Sequence, residues 1–207
     1  MSKKKKKARG KRPPKIPLEA NQPRPKPISW SSSKDILENA RDYPLLECWI
    51  DRDWKESGLA RVAIARQQPN GRVLFGSYLV DYYCLGVKDC VWKADQSLKT
   101  FHKRLPQLVG TPERCEPSLA HQLIYGAINY AQRWGFEPHA DFKEAGQILE
   151  PRGNLPETHD IQYGQDGKPL FISGPYDDSS RIISQLEEIA GEGNFDYLMP
   201  LEDPEEY

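Results

Sequence analysis

Between residues 45 and 87, apolar side chains gather in three runs rich in β-branched and aromatic types, which read as strands. The first is LLECWID, residues 45–51. The second is LARVAIARQQ, residues 59–68, where Leu59, Val62 and Ile64 alternate imperfectly with Arg61, Ala63 and Arg66. The Asn-Gly of PNG, 69–71, predicts a tight hairpin, because both residues accept positive φ. RVLFGSYLVDYYCLGV, 72–87, then reads as one long returning strand bulged at Gly76, with KDCVWKA as a short extension. Together these predict an antiparallel meander of three or four strands.

Helical periodicity flanks this sheet. SSSKDILENARD carries a serine cap and apolar Ile36, Leu37 and Ala40, a short helix stopped by Pro44. Leu98, Phe101 and Leu105 give a helix over 95–105. The strongest helix covers 117–135, with Pro117 in its first turn, Gly135 past its end and a stripe of Leu119, Leu123, Ala127 and Tyr130. A loop, GFEPHADF, leads to a short helix beginning near Asp141. DIQYGQDGKPLFIS, 160–173, predicts a second hairpin around Asp166-Gly167, and YDDSSRIISQLEEIAG a helix opened by Asp177 and Asp178 and closed by Gly191.

The expected class is α+β: an antiparallel sheet, made of the N-terminal meander plus a C-terminal hairpin, packed with three to five helices. The expected organisation is a Lys/Arg/Pro-rich arm over 1–30, one α+β domain over 31–200 and an acidic tail over 201–207. Six of the eighteen prolines fall in the arm, which has little to bury, so it reads as extended and disordered.

Charge changes this picture more than composition does. The formal net charge is −1, but it averages two opposites. Residues 1–30 hold eleven Lys/Arg against Glu19 alone, a charge of +10, and the rest of the chain carries −11. Nine of those cations, Lys3, Lys4, Lys5, Lys6, Lys7, Arg9, Lys11, Arg12 and Lys15, crowd into fourteen residues. Such a cluster neutralises phosphates and releases their counterions, so RNA, DNA or a ribonucleoprotein is the expected partner. No aromatic residue separates the lysines, so sequence-specific readout is not expected of the arm. The acidic body is the expected contact for a protein partner.

No apolar run reaches the ~20 residues of a membrane span. Cys48, Cys84, Cys90 and Cys115 show no metal-ligand spacing and read as reduced, structural thiols, which suits a cytoplasmic protein, or a nuclear one in a eukaryote. The phosphate-loop, dinucleotide, nucleophile-elbow and zinc-protease signatures are all missing.

The leading expectation is therefore non-catalytic association with nucleic acid and no cofactor. A second reading is a metal-dependent hydrolase, a nuclease or phosphoesterase, holding Mg²⁺ or another divalent ion. Its candidates are Asp51 and Asp81 at strand ends, with Asp89 nearby, and His139 and Asp141 in the GFEPHADF loop beside Glu137. Against it, strand-end acids commonly cap turns or pair with arginines such as Arg52 or Arg61, and Asp141 stands where a helix cap is needed. The row His121, Tyr125, Asn129 reads as a polar contact. Asp177 and Asp178 occupy the place an anion would take at the last helix. A third reading is an adaptor or inhibitor working through protein contacts alone.

Overall fold

The computed structural model describes residues 32–199. The arm cations and the acidic tail lie outside these residues. The first helix, α1 (Ser33–Glu38), is closed by a capping box in which Ser32 and Asp35 each accept the other's backbone N–H. A 3-10 turn follows and stops at Tyr43, ahead of Pro44.

Strands β1 (Leu45–Asp51), β2 (Leu59–Gln67), β3 (Val73–Asp81) and β4 (Gly86–Gln96) form the meander, with the single turn α2 (Trp54–Ser57) between β1 and β2. Helix α3 (Leu98–Val109) leads to β5 (Pro112–Cys115), which returns to the far side of β1. The sheet is antiparallel in the order β4-β3-β2-β1-β5. The α+β class expected from the pattern is what forms.

The stretch 72–87 is not one strand. Asp81 ends β3 by turning its carboxylate back onto the N–H groups of Tyr83 and Cys84, at 3.0 and 2.9 Å. The next four residues make a turn, and KDCVWKA belongs to an eleven-residue strand rather than a short extension. Gly86 restarts the ladder at φ 74°, and a Cβ there would lie 3.0 Å from that of Ala131. Gly76 is paired on both sides; the register shifts fall at Val73/Phe75 and Leu79/Val80 instead.

Helix α3 covers one face of the sheet. Phe101, Leu105 and Val109 pack on Ala63, Ala65, Val73 and Phe75. It runs through Pro106, beyond the expected end at Leu105, because Val109 is still fully buried there. Helix α4 (Pro117–Gln132) covers the other face, where Leu123, Ile124, Ala127 and Ile128 meet Val62, Ile64, Leu74, Tyr78 and Val80. Gly126 in α4 makes room for Tyr163, whose phenol O–H donates to Gln122 O at 2.8 Å. A Cβ at Gly126 would sit 1.9 Å from that oxygen. Gly126→Ala should therefore lower the melting temperature, although alanine gains about 1 kcal/mol of helix propensity. A raised melting temperature would contradict this placement of Tyr163.

The turn α5 (Phe142–Ala145) and a 3-10 turn precede a long connection. The expected C-terminal hairpin shrinks to a single bridge, Gln165 to Lys168, around Asp166-Gly167. The chain continues into β6 (Leu170–Ile172), which pairs in parallel with β7 (Asp196–Leu198) across the helix α6 (Ser179–Ala190). Parallel pairing needs such a crossover. Phe171, Leu186 and Phe195 form its small core with Cys84. All four cysteines are free thiols. Among the described residues no helix is long and apolar enough to cross a membrane.

Candidate functional site

Asp51 and Asp81 end strands β1 and β3, with β2 between them. Two strand spacings of about 4.8 Å and an offset of two residues hold their backbones about 12 Å apart. Each carboxylate is engaged locally. Asp51 accepts the Thr111 N–H at 3.3 Å, while Arg52 pairs with Glu113. Asp81 caps the β3–β4 turn. It is fully buried, and burial pushes its carboxyl up to about 6, against the pull of the Cys84 N–H and of nearby Lys88.

The sign of that shift sets a pH dependence. The folded value lies above the usual 3.8, so the buried charge destabilises the fold fully above pH 6. The cost is relieved as pH falls from about 6 to about 4 and the folded state takes up the proton first. Asp81→Asn keeps the acceptor oxygen and removes the charge. It should gain up to about 3 kcal/mol above pH 6 and nothing near pH 4. Thermal melts from pH 4 to 7.5 check this; a variant least stable relative to its parent at the upper end would refute it.

His139 and Asp141 remain neighbours, with 3.8 Å between Nδ1 and a carboxylate oxygen, and Asp141 donates its N–H to the ring. Asp141 precedes α5, yet its side chain makes no cap bond. Among the described residues no three His, Cys, Asp or Glu side chains gather closely enough to share a metal ion. Convergence of the four candidates on one ion, the condition for the hydrolase reading, is not what this geometry gives.

Two stretches distant in sequence do meet. The loop 135–139 and the segment 176–185 wall a cavity of about 490 Å³. The His139 N–H donates to Val87 O at 2.9 Å and ties the loop to β4. Opposite, Lys88 and Asp177 form a largely buried ion pair at 2.5 Å, and Asp177 also accepts the Gly174 N–H. Asp178 caps α6 through the Arg181 N–H. Both acids at this helix start are thus committed to protein partners.

The row His121, Tyr125, Asn129 clasps the segment 150–152. His121 Nδ1 donates to Pro117 O at 2.7 Å, and its Nε2 accepts the Glu150 N–H at 2.9 Å. Burial pushes this histidine's pKa down, and both nitrogens are occupied, so it is a neutral structural group. Tyr125 donates to Glu150 O at 2.7 Å, and Asn129 accepts from Arg152.

Three polar constellations were not legible in the chain. Arg66 shares its face of β2 with Val62 and Ile64 rather than with Arg61 and Ala63, and it is 1 % exposed. Its guanidinium donates to Ile148 O, Tyr43 O and Glu150, each at 2.6 Å. Glu47, also buried, holds His102 and Arg114 through its two oxygens. Ser118 lies 3.0 Å from His159 Nε2, and Gln122 grips the backbone of His159 at both N–H and C=O. This last pair has the contact of a nucleophile and a base. Glu116, however, approaches the same nitrogen, at 3.6 Å, whereas an orienting acid would hold the other one.

No protein-family model, curated protein or solved structure matches this chain.

Proposed function

We propose that this protein associates with nucleic acid, alone or in a ribonucleoprotein, without breaking bonds, and that its basic arm supplies most of the affinity. The observation that carries this reading is the charge division: nine cations in residues 2–15, +10 over residues 1–30 and −11 over the remainder. A dense cluster of cations binds phosphates through counterion release. The strand-end acids support the same reading from the other side, because Asp51 and Asp81 each serve a backbone turn.

The acidic charge is concentrated late in the chain. Residues 116–199 hold fourteen Asp/Glu against five Lys/Arg. This part repels a polyanion and is the natural contact for a protein partner of basic character. The test is retention of the full chain on immobilised single-stranded RNA at low salt, with the nine cations of residues 2–15 as they stand or replaced by glutamine. Loss of retention in the substituted chain is expected; equal retention of both would overturn the proposal.

A further inference from the structure

Helix α3 breaks the charge pattern of the body around it. From Ser97 to Pro112 there are three Lys/Arg and no Asp or Glu. Phe101, Leu105 and Val109 face the sheet, which leaves Lys99, Lys103 and Arg104 exposed. Among the described residues none of these three forms an ion pair.

The sheet extends the cationic surface beyond the helix. Arg61 alternates with Ala63 and Ala65, which pack under α3, so it shares that face. Lys93 is paired directly with Phe75, another residue under α3, and stands beside the helix on β4. Both are exposed and unpaired among the described residues. Four carboxylates share the face by this alternation, one of them Asp81, buried in the β3–β4 turn that it caps. Glu47 is buried and bridged by His102 and Arg114, Asp51 holds the Thr111 N–H, and only Asp89 stands exposed among the cations. The balance is positive, on a body whose later half is strongly acidic.

One edge of the face carries a stacked cation. Arg114 on β5 lies over the Trp49 ring, 5.0 Å from its centroid, and His102 meets the same ring edge-on at 6.1 Å. Buried Glu47 fixes both from below. The Arg114 side chain is nonetheless 64 % exposed, so its outer surface is open to a ligand. A guanidinium held in place, with an outer face free, is a platform on which an unpaired base can stack. Phosphates would follow the line of exposed lysine and arginine groups beside it.

We infer that the α3 face, with Lys99, Lys103, Arg104 and the Trp49–Arg114 stack, is a second nucleic-acid contact, and that its ligand is single-stranded. This rests on the reading of the arm as a polynucleotide binder and gives the folded body its own share of the interface. The arm contributes charge alone; the α3 face adds an ordered surface that distinguishes an unpaired strand from a duplex.

The test uses the full chain with its arm intact and a 20-nucleotide single-stranded RNA, with affinity measured across a salt series. In the triple variant Lys99→Gln/Lys103→Gln/Arg104→Gln, the slope of log affinity against log salt should become shallower by about 2, at about 0.7 per lost phosphate contact. Arg114→Lys keeps the charge and removes the planar stack, so affinity should drop several-fold with the slope preserved. Thermal melts of both variants confirm the fold. An unchanged slope in a folded triple variant overturns this inference and leaves the arm's role standing. Failure of the unaltered chain to bind RNA removes both. Tighter binding of a duplex of the same length overturns the single-strand assignment.

Discussion

Replacing Arg66 with methionine is expected to destabilise the fold by about 3–5 kcal/mol, the range for removing one partner of a buried ion pair. Among the described residues the guanidinium is the donor that reaches Ile148 O, Tyr43 O and the Glu150 carboxylate. Methionine fills much of the volume but donates nothing, so two carbonyls and a partly buried carboxylate lose their donor together. For a domain of this size each kcal/mol lowers the melting temperature by about 2–4 °C, so a fall of about 6–20 °C is expected. Glu150→Gln provides the contrast. Its side chain is 23 % exposed and the amide oxygen still accepts, but the buried cation keeps neutral acceptors only, so a loss of about 1–3 kcal/mol is expected, smaller than for the methionine variant. Equal losses in the two variants would mean that Arg66 contributes charge pairing rather than tying three segments together.

Neutralising the arm should have the largest effect on binding. Nine cations engaged on a single strand give a salt slope of about −6, and between 50 and 200 mM salt such a protein loses affinity about 10³-fold or more. With Lys3–Lys7, Arg9, Lys11, Arg12 and Lys15 changed to glutamine, Arg24, Lys26 and the cations of the α3 face remain to respond. The slope should become shallower by about 6, and affinity at 50 mM salt should drop by at least two orders of magnitude. The melting temperature should stay unchanged, since the described core begins at Ile36. A variant that binds as tightly as its parent would place the polyanion site elsewhere.

Much of the fold was legible because its boundaries are written in local chemistry. Pro44, Gly58 and Asn70-Gly71 bracket β1 and β2, and the structure places these strands within a residue of their expected limits. The β3–β4 turn was hidden. Tyr82, Tyr83, Cys84 and Leu85 look like strand, and what turns them is an acid side chain and the burial of Tyr82 against Trp54, to whose carbonyl it donates at 2.9 Å. The pairing of β6 with β7 was equally hidden, since three residues on each side of a helix carry no periodicity. Arg66 shows the limit for site residues. Its parity along β2 puts it inward with Val62 and Ile64, but the carbonyls that justify an inward charge lie 23 and 82 residues away. The cationic exterior of α3 was in plain view as KTFHKR. It gained meaning only when the fold laid Trp49, His102 and Arg114 beside it.

If phosphate neutralisation by the arm drives association, the affinity of the unaltered chain for single-stranded RNA, followed from 50 to 300 mM salt, should give a straight log–log plot steeper than about −5. Affinity that does not change with salt, or no binding at 50 mM, would contradict it.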